Sequence, residues 1–551
     1  MKRVIGLFVF CSVLFIALSQ IVSADELRLP VRVAVTDTNF ASYIYDSVQF
    51  NNASDLEVLD TQSGQVFSGQ NSDEFLKIKI KDYKFEVSTE SSHMVFPLSS
   101  RLSIRSKSGR FIQINGLKRA GKQAEYRGVF EIVKSPDNSK FYVINLLDLE
   151  SYLRGVVPNE MPVRFGLEAL KAQSVAARNY VLASKAKDGE EFDVSDSVAS
   201  QVYFGAGTEK ELADKAVLET SGIVALSQED EPILALYSST SGGYSENYEN
   251  AFADTKSKVF PSPELKPYLL GKSDNGHYSE LNTEEDVREF YSNYPDTFDN
   301  DSPYFRWARE WTEPELENVL KQSLKDMSVT GFVSPKLSSA DDFGKLQDIK
   351  VYKRGVSGKV MFIQVVTDKN IFMVSKELTI RRCFKKNGKA LPSANFFVDK
   401  IDDDGEITYR FIGGGYGHGV GMSQWGAGKM SSLGYRYDEI LNHYYSGIRL
   451  TTFPLYLRTN GEVKSQLFYS GLPHAWVYAE HDGSVGSVFA EINGETVEIE
   501  LKNMPSKVKA DVSPYIKKGF NEVRYFTKND NLSPSLLKVY TEIRGEEDDG
   551  G

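Results

Sequence analysis

The stretch "VVPNEMPVRFGLEALKAQSVAARNYVLASKAK", Val156 to Lys187, marks the change from strand-like to helix-like sequence that decides the fold. Before it, from about residue 28 to 150, short runs such as "FLKIKIKDYKFEVST" alternate apolar with polar residues, as half-buried β-strands do. After Gly166 the apolar residues recur at helical spacing and alanine is frequent. This part of the stretch predicts a helix of about 20 residues.

Strand-like and helix-like runs also alternate further along the chain. In "TEPELENVLKQSLK" the spacing of Thr312 and Glu315 predicts a capped helix, and two more helical patterns cover 423–433 and 436–445. After residue 452 the runs are strand-like. The sequence therefore predicts an α+β fold, with a mixed, mostly antiparallel β core, a few helices around a substrate groove, and a small C-terminal β domain.

The N-terminus has the composition of a secretory signal. Lys2 and Arg3 precede an uncharged apolar run. The small residues Ser23 and Ala24 follow, and cleavage is expected after Ala24. If it is not cleaved, the run is long enough to anchor the chain in a bilayer. Either outcome predicts an exported protein in the periplasm, in the cell wall or on the outer face of the cytoplasmic membrane.

Charge and cysteine content exclude several functions. The 551 residues carry a formal charge of -12 without a long Lys/Arg cluster, which argues against nucleic acid as a partner. Cys11 lies in the apolar N-terminal run, so an exported mature chain would keep only Cys383. A single cysteine allows neither an intramolecular disulfide nor a thiolate-rich zinc site.

Glu160 is unusual because its neighbours are valines, a methionine and two prolines. Such surroundings raise the pKa of a carboxyl group, which can then donate a proton to a leaving group and take one back. Pro158 and Pro162 are expected to stiffen the turn around it. The alternative is a structural glutamate near a helix start, where the helix dipole favours its charge.

The helix that follows carries polar residues among small apolar ones. Gln173, Arg178 and Tyr180 do not form a clean polar face. Arg178 is expected either to bind substrate or to form a buried ion pair with a carboxylate such as Asp196. The sequence leaves both interpretations open.

Two loop-like stretches are candidates for a binding groove. "SSTSGGYSEN", Ser238 to Asn247, could line a groove for a hydroxylated ligand or be an ordinary loop, and it lacks the G-x-S-x-G of serine hydrolases. "GGGYGHGVGMSQWGA", from Gly413, is half glycine and allows close backbone approach. Its His418 is expected in a tight turn beside a groove; a metal site is the alternative, although nothing sets a ligand spacing to His443.

Aromatic residues accompany these stretches, and flat rings either stack on sugar faces or fill cores. The aromatic residues concerned are Tyr304, Trp307, Trp311, Tyr416 and Trp425.

Taken together, these blocks resemble the SpoIID/LytB family, the stage II sporulation protein D group. The blocks "DLESYLRGVVPNEMPVRFGLEALKAQSVAARNYVL", "SQVYFGAG", "SSTSGGYSEN", "SPYFRW" and "GGGYGHGVGMSQWGA" follow one another in the family's order, over roughly residues 125–450. The resemblance implies a peptidoglycan lytic transglycosylase, which cuts between N-acetylmuramic acid and N-acetylglucosamine and leaves a 1,6-anhydro end. Some members prefer strands stripped of stem peptides.

The resemblance also implies the catalytic residue. The family's acid is the glutamate of V-x-P-x-E-M-P, which is Glu160 in this chain. Most glycosidases need two carboxylates, but in this reaction the sugar's own 6-hydroxyl attacks the anomeric carbon, so one suffices. Glu246 is a weak candidate for an assisting role. Substrate-binding residues are expected at Gln173, Arg178, Tyr203, Ser239, Ser241, Tyr416, His418, Ser423 and Gln424.

Some relatives are thought to bind zinc through histidine and cysteines near the "STSGG" block. Here Tyr237 and Ser238 precede that block without a nearby cysteine, so no metal and no cofactor are expected. The expected partners are peptidoglycan strands and a cell-wall amidase, and the setting is division, sporulation or wall turnover. The alternatives are a non-catalytic peptidoglycan-binding protein that recruits or stimulates an amidase, and a structural scaffold.

The expected domain organisation has five parts. They are a signal peptide or anchor at 1–24, an N-terminal β-rich region at 25–124, the SpoIID/LytB-like catalytic domain at 125–450, a C-terminal β domain at 451–541 and a disordered acidic tail at 542–551.

Overall fold

The computed structural model describes residues 29–185, 190–254, 256–458, 461–481, 486–501, 505–528 and 536–545. The signal peptide or anchor predicted at 1–24 and the last six residues of the predicted tail lie outside these ranges. Among the described residues, no helix is both long enough and apolar enough to cross a membrane.

Helices and mostly antiparallel strands are mixed along the chain, which confirms the predicted α+β fold. The helix after Gly166 and both helices near the glycine-rich block form close to their predicted positions. The helices are α1 Leu149–Glu160, α2 Leu167–Ala183, α3 Glu211–Leu218, α4 Tyr248–Ala251, α5 Glu284–Ser292, α6 Glu313–Met327, α7 Glu377–Cys383, α8 Gln424–Ser432 and α9 Tyr437–Tyr444.

The capping box predicted for α6 is present. The Thr312 side chain accepts a hydrogen bond from the backbone N–H of Glu315, and the Glu315 side chain bonds back to the N–H of Thr312. The reciprocal bonds satisfy two donors that a helix start otherwise leaves free.

The chain divides into two compact units. The first comprises Met1–Val163 with Tyr180–Ser221, and the second comprises Arg164–Asn179 with Gly222–Gly551. The boundary between the units therefore passes through α2, and it differs from the boundaries expected from composition. Each unit is described by itself.

The first unit contains two sheets, of eight and six strands. The first sheet has the order β14-β1-β13-β12-β9-β4-β5, with β2 also paired to β13, and the second has the order β11-β10-β3-β6-β7-β8. The strands are β1 Pro30–Ala34, β2 Ile44–Tyr45, β3 Ser47–Phe50, β4 Leu56–Asp60, β5 Val66–Ser68, β6 Leu76–Lys81, β7 Lys84–Ser88, β8 His93–Pro97, β9 Leu102–Ser106, β10 Ile112–Arg119, β11 Lys122–Tyr126, β12 Val129–Lys134, β13 Phe141–Asp148 and β14 Val194–Ser195.

The second unit contains several smaller sheets. The first four of its strands along the chain are β15 Ile223–Leu226, β16 Tyr237–Ser238, β17 Trp307–Thr312 and β18 Val333–Ser334. The next six are β19 Leu346–Arg354, β20 Val360–Thr367, β21 Ile371–Ser375, β22 Phe396–Asp403, β23 Glu406–Gly413 and β24 Met422–Ser423. The last nine are β25 Arg449–Thr452, β26 Leu455–Arg458, β27 Val463–Ser470, β28 His474–His481, β29 Gly486–Ile492, β30 Glu495–Leu501, β31 Ser506–Asp511, β32 Gly519–Thr527 and β33 Leu536–Arg544.

Pairing in the second unit links its C-terminal strands to earlier sequence. β15 and β25 belong to one sheet with β33, β28 and β31. The domain boundary expected between residues 450 and 451 thus falls inside β25, and β33 extends through 542–544 of the expected disordered tail. Backbone pairing, which the composition of the tail does not reveal, orders these residues.

Trp307 and Trp311 fill a core of the second unit. Both belong to a buried cluster with Leu316, Leu320 and Phe411, on the elements β17, α6 and β23. For these two aromatic residues the interpretation as core is confirmed.

Candidate functional site

Glu160 is the last residue of α1, in the first unit. The helix begins after Asp148, whose side chain accepts a hydrogen bond from the N–H of Ser151. The structural alternative, a glutamate near a helix start, is therefore wrong. At the C-terminal end the helix dipole disfavours a negative charge, so the fold opposes ionisation of Glu160.

The last turn of α1 is held by neighbours of Glu160 in sequence. Pro158 lies inside the helix and has no N–H to donate. Asn159 Nδ2 donates to the carbonyl of Gly155 at 2.8 Å and to Thr208 Oγ1 at 2.7 Å. Met161, fully buried, donates its N–H to the Val157 carbonyl at 3.0 Å. These bonds fix the direction in which the Glu160 side chain leaves the helix.

The Glu160 carboxyl is partly shielded from water. Burial raises its pKa to about 7, and a hydrogen bond from the Val202 N–H to Oε1, 2.6 Å long, partly opposes the rise. The residue is nevertheless only half-buried, so part of it remains open to solvent. A carboxyl group with this pKa can both give and accept a proton near neutral pH.

The charge of Glu160 contributes to raising the pKa of two nearby tyrosine side chains. Burial, and then the Glu160 carboxylate, raise the pKa of Tyr152. Burial also raises the pKa of Tyr180, with a smaller contribution from Glu160. Neither phenol ionises at neutral pH, so both are hydrogen-bonding groups and not bases. Only Tyr180 of these two is partly exposed.

Tyr203, expected to bind substrate, is buried and positions its neighbour. Its hydroxyl donates to Asn145 Oδ1 at 2.7 Å. Its ring packs so closely on Gly155 that a Cβ built there would lie 2.6 Å from a ring carbon. Tyr203 is thus packed inside the first unit, and it holds the segment that brings the Val202 N–H to Glu160.

Gln173 and Arg178 are likewise buried, in the second unit. Arg178 Nη1 donates to the Ile223 carbonyl at 2.9 Å. Gln424 Nε2 donates to Gln173 Oε1 at 3.2 Å, so two of the expected substrate-binding residues contact each other. Their burial gives them a role in the fold. The sequence did not reveal that Gln173 and Arg178 are buried, because helical spacing alone does not show that both faces of the helix are covered.

Asp196, the carboxylate considered as a partner for Arg178, pairs with Arg119. The two side chains are 2.6 Å apart and almost completely buried. This ion pair lies within the first unit.

Ser241 and Ser423 are bound to a buried carboxylate that the sequence did not single out. Asp299 Oδ2 accepts hydrogen bonds from the Ser241 N–H and hydroxyl, both at 2.7 Å, and from the Gly242 N–H at 2.9 Å. The Ser423 hydroxyl donates to the same oxygen at 3.1 Å. Burial and the nearby charge of Asp274 raise the pKa of Asp299 to about 6. Asp299 thus links the "SSTSGG" loop to the start of α8.

His418 is held neutral by its surroundings. Burial lowers its pKa to about 4. The Val420 N–H donates to its Nδ1 at 3.1 Å, which places the ring proton on Nε2. A backbone hydrogen bond at Tyr237 also engages the ring. Gly417 and Gly419, on either side of His418, have positive φ angles, and the bonds of the ring to the backbone hold this glycine-rich segment.

Tyr416 and Tyr304 form the most accessible aromatic pair near these loops. Their ring centroids are 4.4 Å apart, and the residues are 42% and 37% exposed. Tyr416 exchanges backbone hydrogen bonds with Thr240, and the Gly415 N–H donates to the Tyr304 carbonyl at 2.8 Å. Ser239, half-buried, precedes Thr240. Of the expected substrate-binding residues, Tyr416 and Ser239 are open to a ligand on this surface.

Glu246, considered for an assisting role, is fully buried. It accepts hydrogen bonds from the N–H groups of Asn247, Val356 and Ser357, and from the side chains of Asn250 and Ser357. With both oxygens engaged, Glu246 is a structural carboxylate in this conformation.

No arrangement of three or more His, Cys, Asp or Glu side chains suited to a metal ion occurs in the described ranges. Cys383 is buried, and burial raises the pKa of its thiol to about 12. The thiol is therefore unreactive at neutral pH.

Two family models match different parts of this chain. Residues 137–226 match the family model described as "Stage II sporulation protein", and residues 244–421 match a domain of unknown function. The first match includes Glu160, Gln173, Arg178 and Tyr203, and the second includes Tyr416 and His418.

Three relatives are similar to this chain. The Amidase enhancer of Bacillus subtilis (strain 168) is 27% identical over 440 residues, which are 79% of this chain and 58% of that protein. The chain thus spans less than two thirds of that relative. Stage II sporulation protein D of the same organism is 27% identical over 330 residues, which are 56% of this chain and 76% of that protein. An uncharacterized protein of Brachyspira hyodysenteriae (strain ATCC 49526 / WA1) is 27% identical over 348 residues, which are 62% of this chain and 76% of that protein.

Proposed function

The chain belongs to the SpoIID/LytB family, and on that premise we propose that it is a peptidoglycan lytic transglycosylase with Glu160 as its catalytic acid and base. The observation that carries the proposal is the environment of Glu160. Burial at the end of α1 raises its pKa to about 7, as the acid of such a reaction requires.

The proposed reaction uses one carboxyl group twice. The protonated Glu160 donates its proton to the oxygen that joins N-acetylmuramic acid to the next N-acetylglucosamine, and the bond from the anomeric carbon to that oxygen breaks. The 6-hydroxyl of the muramic acid attacks the anomeric carbon and gives its proton to the Glu160 carboxylate. One strand now ends in a 1,6-anhydro sugar and the other in a free 4-hydroxyl. No water is consumed, and Glu160 is protonated again.

Other groups have supporting roles in this proposal. The Val202 N–H stabilises the carboxylate after it has lost its proton, because a hydrogen bond to the charged form favours that form. Within the second unit, taken by itself, the half-exposed rings of Tyr416 and Tyr304 form an aromatic surface of the kind that binds sugar rings. The proposed setting is outside the cytoplasmic membrane, in wall remodelling or sporulation.

A product analysis tests the proposal. The full chain without residues 1–24 is incubated with purified glycan strands, one sample stripped of stem peptides and one intact, and the products are examined by mass spectrometry. We expect anhydro-muramic ends from the stripped strands and their loss in Glu160→Gln. Glu150→Gln, on the same helix, is the matched control and keeps activity. Reducing ends in place of anhydro ends would identify a hydrolase and contradict the proposal.

The name of one relative favours a second candidate function. Because the Amidase enhancer is similar over 79% of this chain, a non-catalytic protein that binds peptidoglycan and stimulates an amidase is the rival. It predicts that strands stay intact with this protein alone. It also predicts that an added cell-wall amidase releases stem peptides faster, and equally with Glu160→Gln.

A further inference from the structure

A basic surface lies on the hairpin formed by β6 and β7 in the first unit. Lys77, Lys79 and Lys81 occupy alternate positions of β6, and Lys84 begins β7. Alternate residues of a strand share a face. The residues that alternate with them, Leu76, Ile78 and Ile80, are buried or partly buried, so the lysines point to the outer side. We define these four lysines as the lysine face.

The lysine face is poorly neutralised by its own strands. Across the hairpin, Lys79 is opposite Glu86 and forms an ion pair with it at 3.0 Å. Lys81 is opposite Lys84. Like charges in directly opposed positions destabilise a strand pair. The hairpin thus keeps a repulsive pair in a chain whose net charge is -12.

The turn of the hairpin is strained and exposes an aromatic ring. Asp82 and Tyr83 have φ angles of 50° and 57°, a left-handed conformation that such two-residue turns normally reserve for Asn and Gly. Tyr83 is 82% exposed. Strain kept at an exposed position points to a function of that position.

The field of the lysine face acts on Glu86, the acidic residue opposite Lys79. Asp82 in the turn and Asp37 in the adjoining pocket are further carboxylates beside the lysines. The hydrogen bond from Lys79, together with the charges of Lys79, Lys81 and His93, lowers the pKa of Glu86. His93, on β8, is paired with Ser88 of β7 and lies on the same side of the sheet as the lysines. An anion at this surface is therefore stabilised even without burial.

A polar pocket adjoins the end of this row. It has a volume of about 410 Å³, and Lys77, Gln49, Asn115 and Asp37 are among its lining residues. Asn115 Nδ2 donates to Gln49 Oε1 at 3.0 Å, which orders the amide wall of the pocket. Lys77 thus belongs both to the row and to a cavity large enough for one small polar group.

We propose that the lysine face binds a linear phosphodiester polymer of the cell envelope. Lysines at two-residue intervals along a strand are about 7 Å apart, so only an extended ligand with several charges reaches three of them. Each lysine ammonium acts as a point charge suited to phosphate. The lysine face contains no arginine, the side chain that binds carboxylates through two parallel hydrogen bonds. Tyr83 and the pocket receive the uncharged parts of the repeat. The inference does not depend on glycan cleavage.

Binding of poly(glycerol phosphate) tests the inference. Its affinity for the full chain without residues 1–24 is measured by calorimetry at 50 and 200 mM salt. Lys77, Lys81 and Lys84 have no ion pair with any described residue. They predict a slope of about −0.7 each in log affinity against log salt, and hence a roughly twentyfold loss of affinity between these salt concentrations. The variant Lys77→Gln/Lys81→Gln/Lys84→Gln loses binding and the salt dependence. It folds as well as the parent because it removes the repulsive pair.

The matched control changes charge equally on another surface. Lys336→Gln/Lys350→Gln/Lys353→Gln alters three lysines of the second unit and keeps full affinity. Equal affinity of both triple variants would overturn the inference, as would no binding by the parent. Tighter binding to poly-L-glutamate would reassign the face to polycarboxylates. Tighter binding to phosphatidylglycerol vesicles would reassign it to a membrane. Either result contradicts the proposal.

Discussion

The backbone N–H of Val202 donates a 2.6 Å hydrogen bond to Oε1 of Glu160, although 42 residues separate the two in sequence. This bond lowers the pKa of the carboxyl group, whereas burial raises it by more, and the balance lies at about 7. Two opposed influences thus set the proton affinity of Glu160. Because burial outweighs the hydrogen bond, stability and activity are both expected to decrease as pH rises.

Stability should fall as pH rises towards neutrality because of Glu160. Its folded-state pKa, about 7, lies above the ordinary value of 4.5, so the folded chain holds a proton that the unfolded chain releases. The contribution is complete below pH 4.5 and is lost as pH rises through 7. Glu160→Gln, which mimics the protonated form, should match the parent at pH 4.5. At pH 8.5 it should be more stable by up to about 3 kcal/mol.

Urea unfolding of both proteins at these two pH values measures the difference. Glu150→Gln, which removes another glutamate of the same helix, serves as the matched control. A pH-independent difference between Glu160→Gln and the parent would contradict the raised pKa.

Glycan cleavage should decline above neutral pH. The proposed first step needs protonated Glu160, so kcat/KM should fall about tenfold per pH unit above the pKa of the free enzyme. The descending limb should have its midpoint near 7. Rates of anhydro-end formation from pH 5 to 9 provide the profile. A rate that rises through this range would contradict Glu160 as the acid.

Asp299→Asn should destabilise the second unit. One oxygen of Asp299 accepts four hydrogen bonds in a fully buried position, and hydrogen bonds to a charged group are the strong ones. The loss should be about 3 kcal/mol. Asp301→Asn removes a neighbouring, exposed carboxylate and should change stability by less than about 0.5 kcal/mol. Equal effects of the two variants in denaturant unfolding would contradict the linking role of Asp299.

Gly426→Ala should also destabilise, although alanine normally favours a helix. A Cβ at this position of α8 would lie 1.9 Å from the Tyr444 hydroxyl. Overpacking of this kind costs about 1–3 kcal/mol. The Tyr444 hydroxyl has no hydrogen-bond partner among the described residues, so Tyr444→Phe alone should be nearly neutral.

The double variant Gly426→Ala/Tyr444→Phe should recover most of the lost stability, because the 1.9 Å contact disappears while those to Cζ of residue 444 and Cβ of Ser423, at 3.1 and 3.3 Å, remain. The four proteins form a double-mutant cycle in thermal unfolding. Additive effects would show that the Tyr444 hydroxyl is not what requires glycine at 426.

Local sequence signals predicted much of the fold. The apolar period after Gly166 gave α2, and the Thr312–Glu315 spacing gave the cap of α6. The apolar and proline neighbours of Glu160 made it a candidate, and the family resemblance assigned it the catalytic role, which stays a prediction. Its place at the end of a helix could not be predicted, since Pro158 suggests that a helix stops earlier.

Contacts between distant segments could not be predicted. Asp299 accepts hydrogen bonds from Ser241 and Ser423, which are 58 and 124 residues away in sequence. The sequence around Asp299 does not indicate these contacts. The burial of Arg178 and Gln173 similarly depends on segments that cover both sides of α2. Residues whose contacts come from distant segments are therefore harder to identify than a candidate that its immediate neighbours mark.

The most direct test of the central claim is the titration of Glu160 itself. Difference infrared spectra of the parent and Glu160→Gln, recorded between pH 4 and 9, isolate the carbonyl band of the protonated Glu160 carboxyl. We predict that this band persists at pH 6 and disappears with a midpoint near 7. A midpoint near the ordinary value of 4.5 would show an ionised, water-exposed carboxylate at neutral pH and would contradict the account.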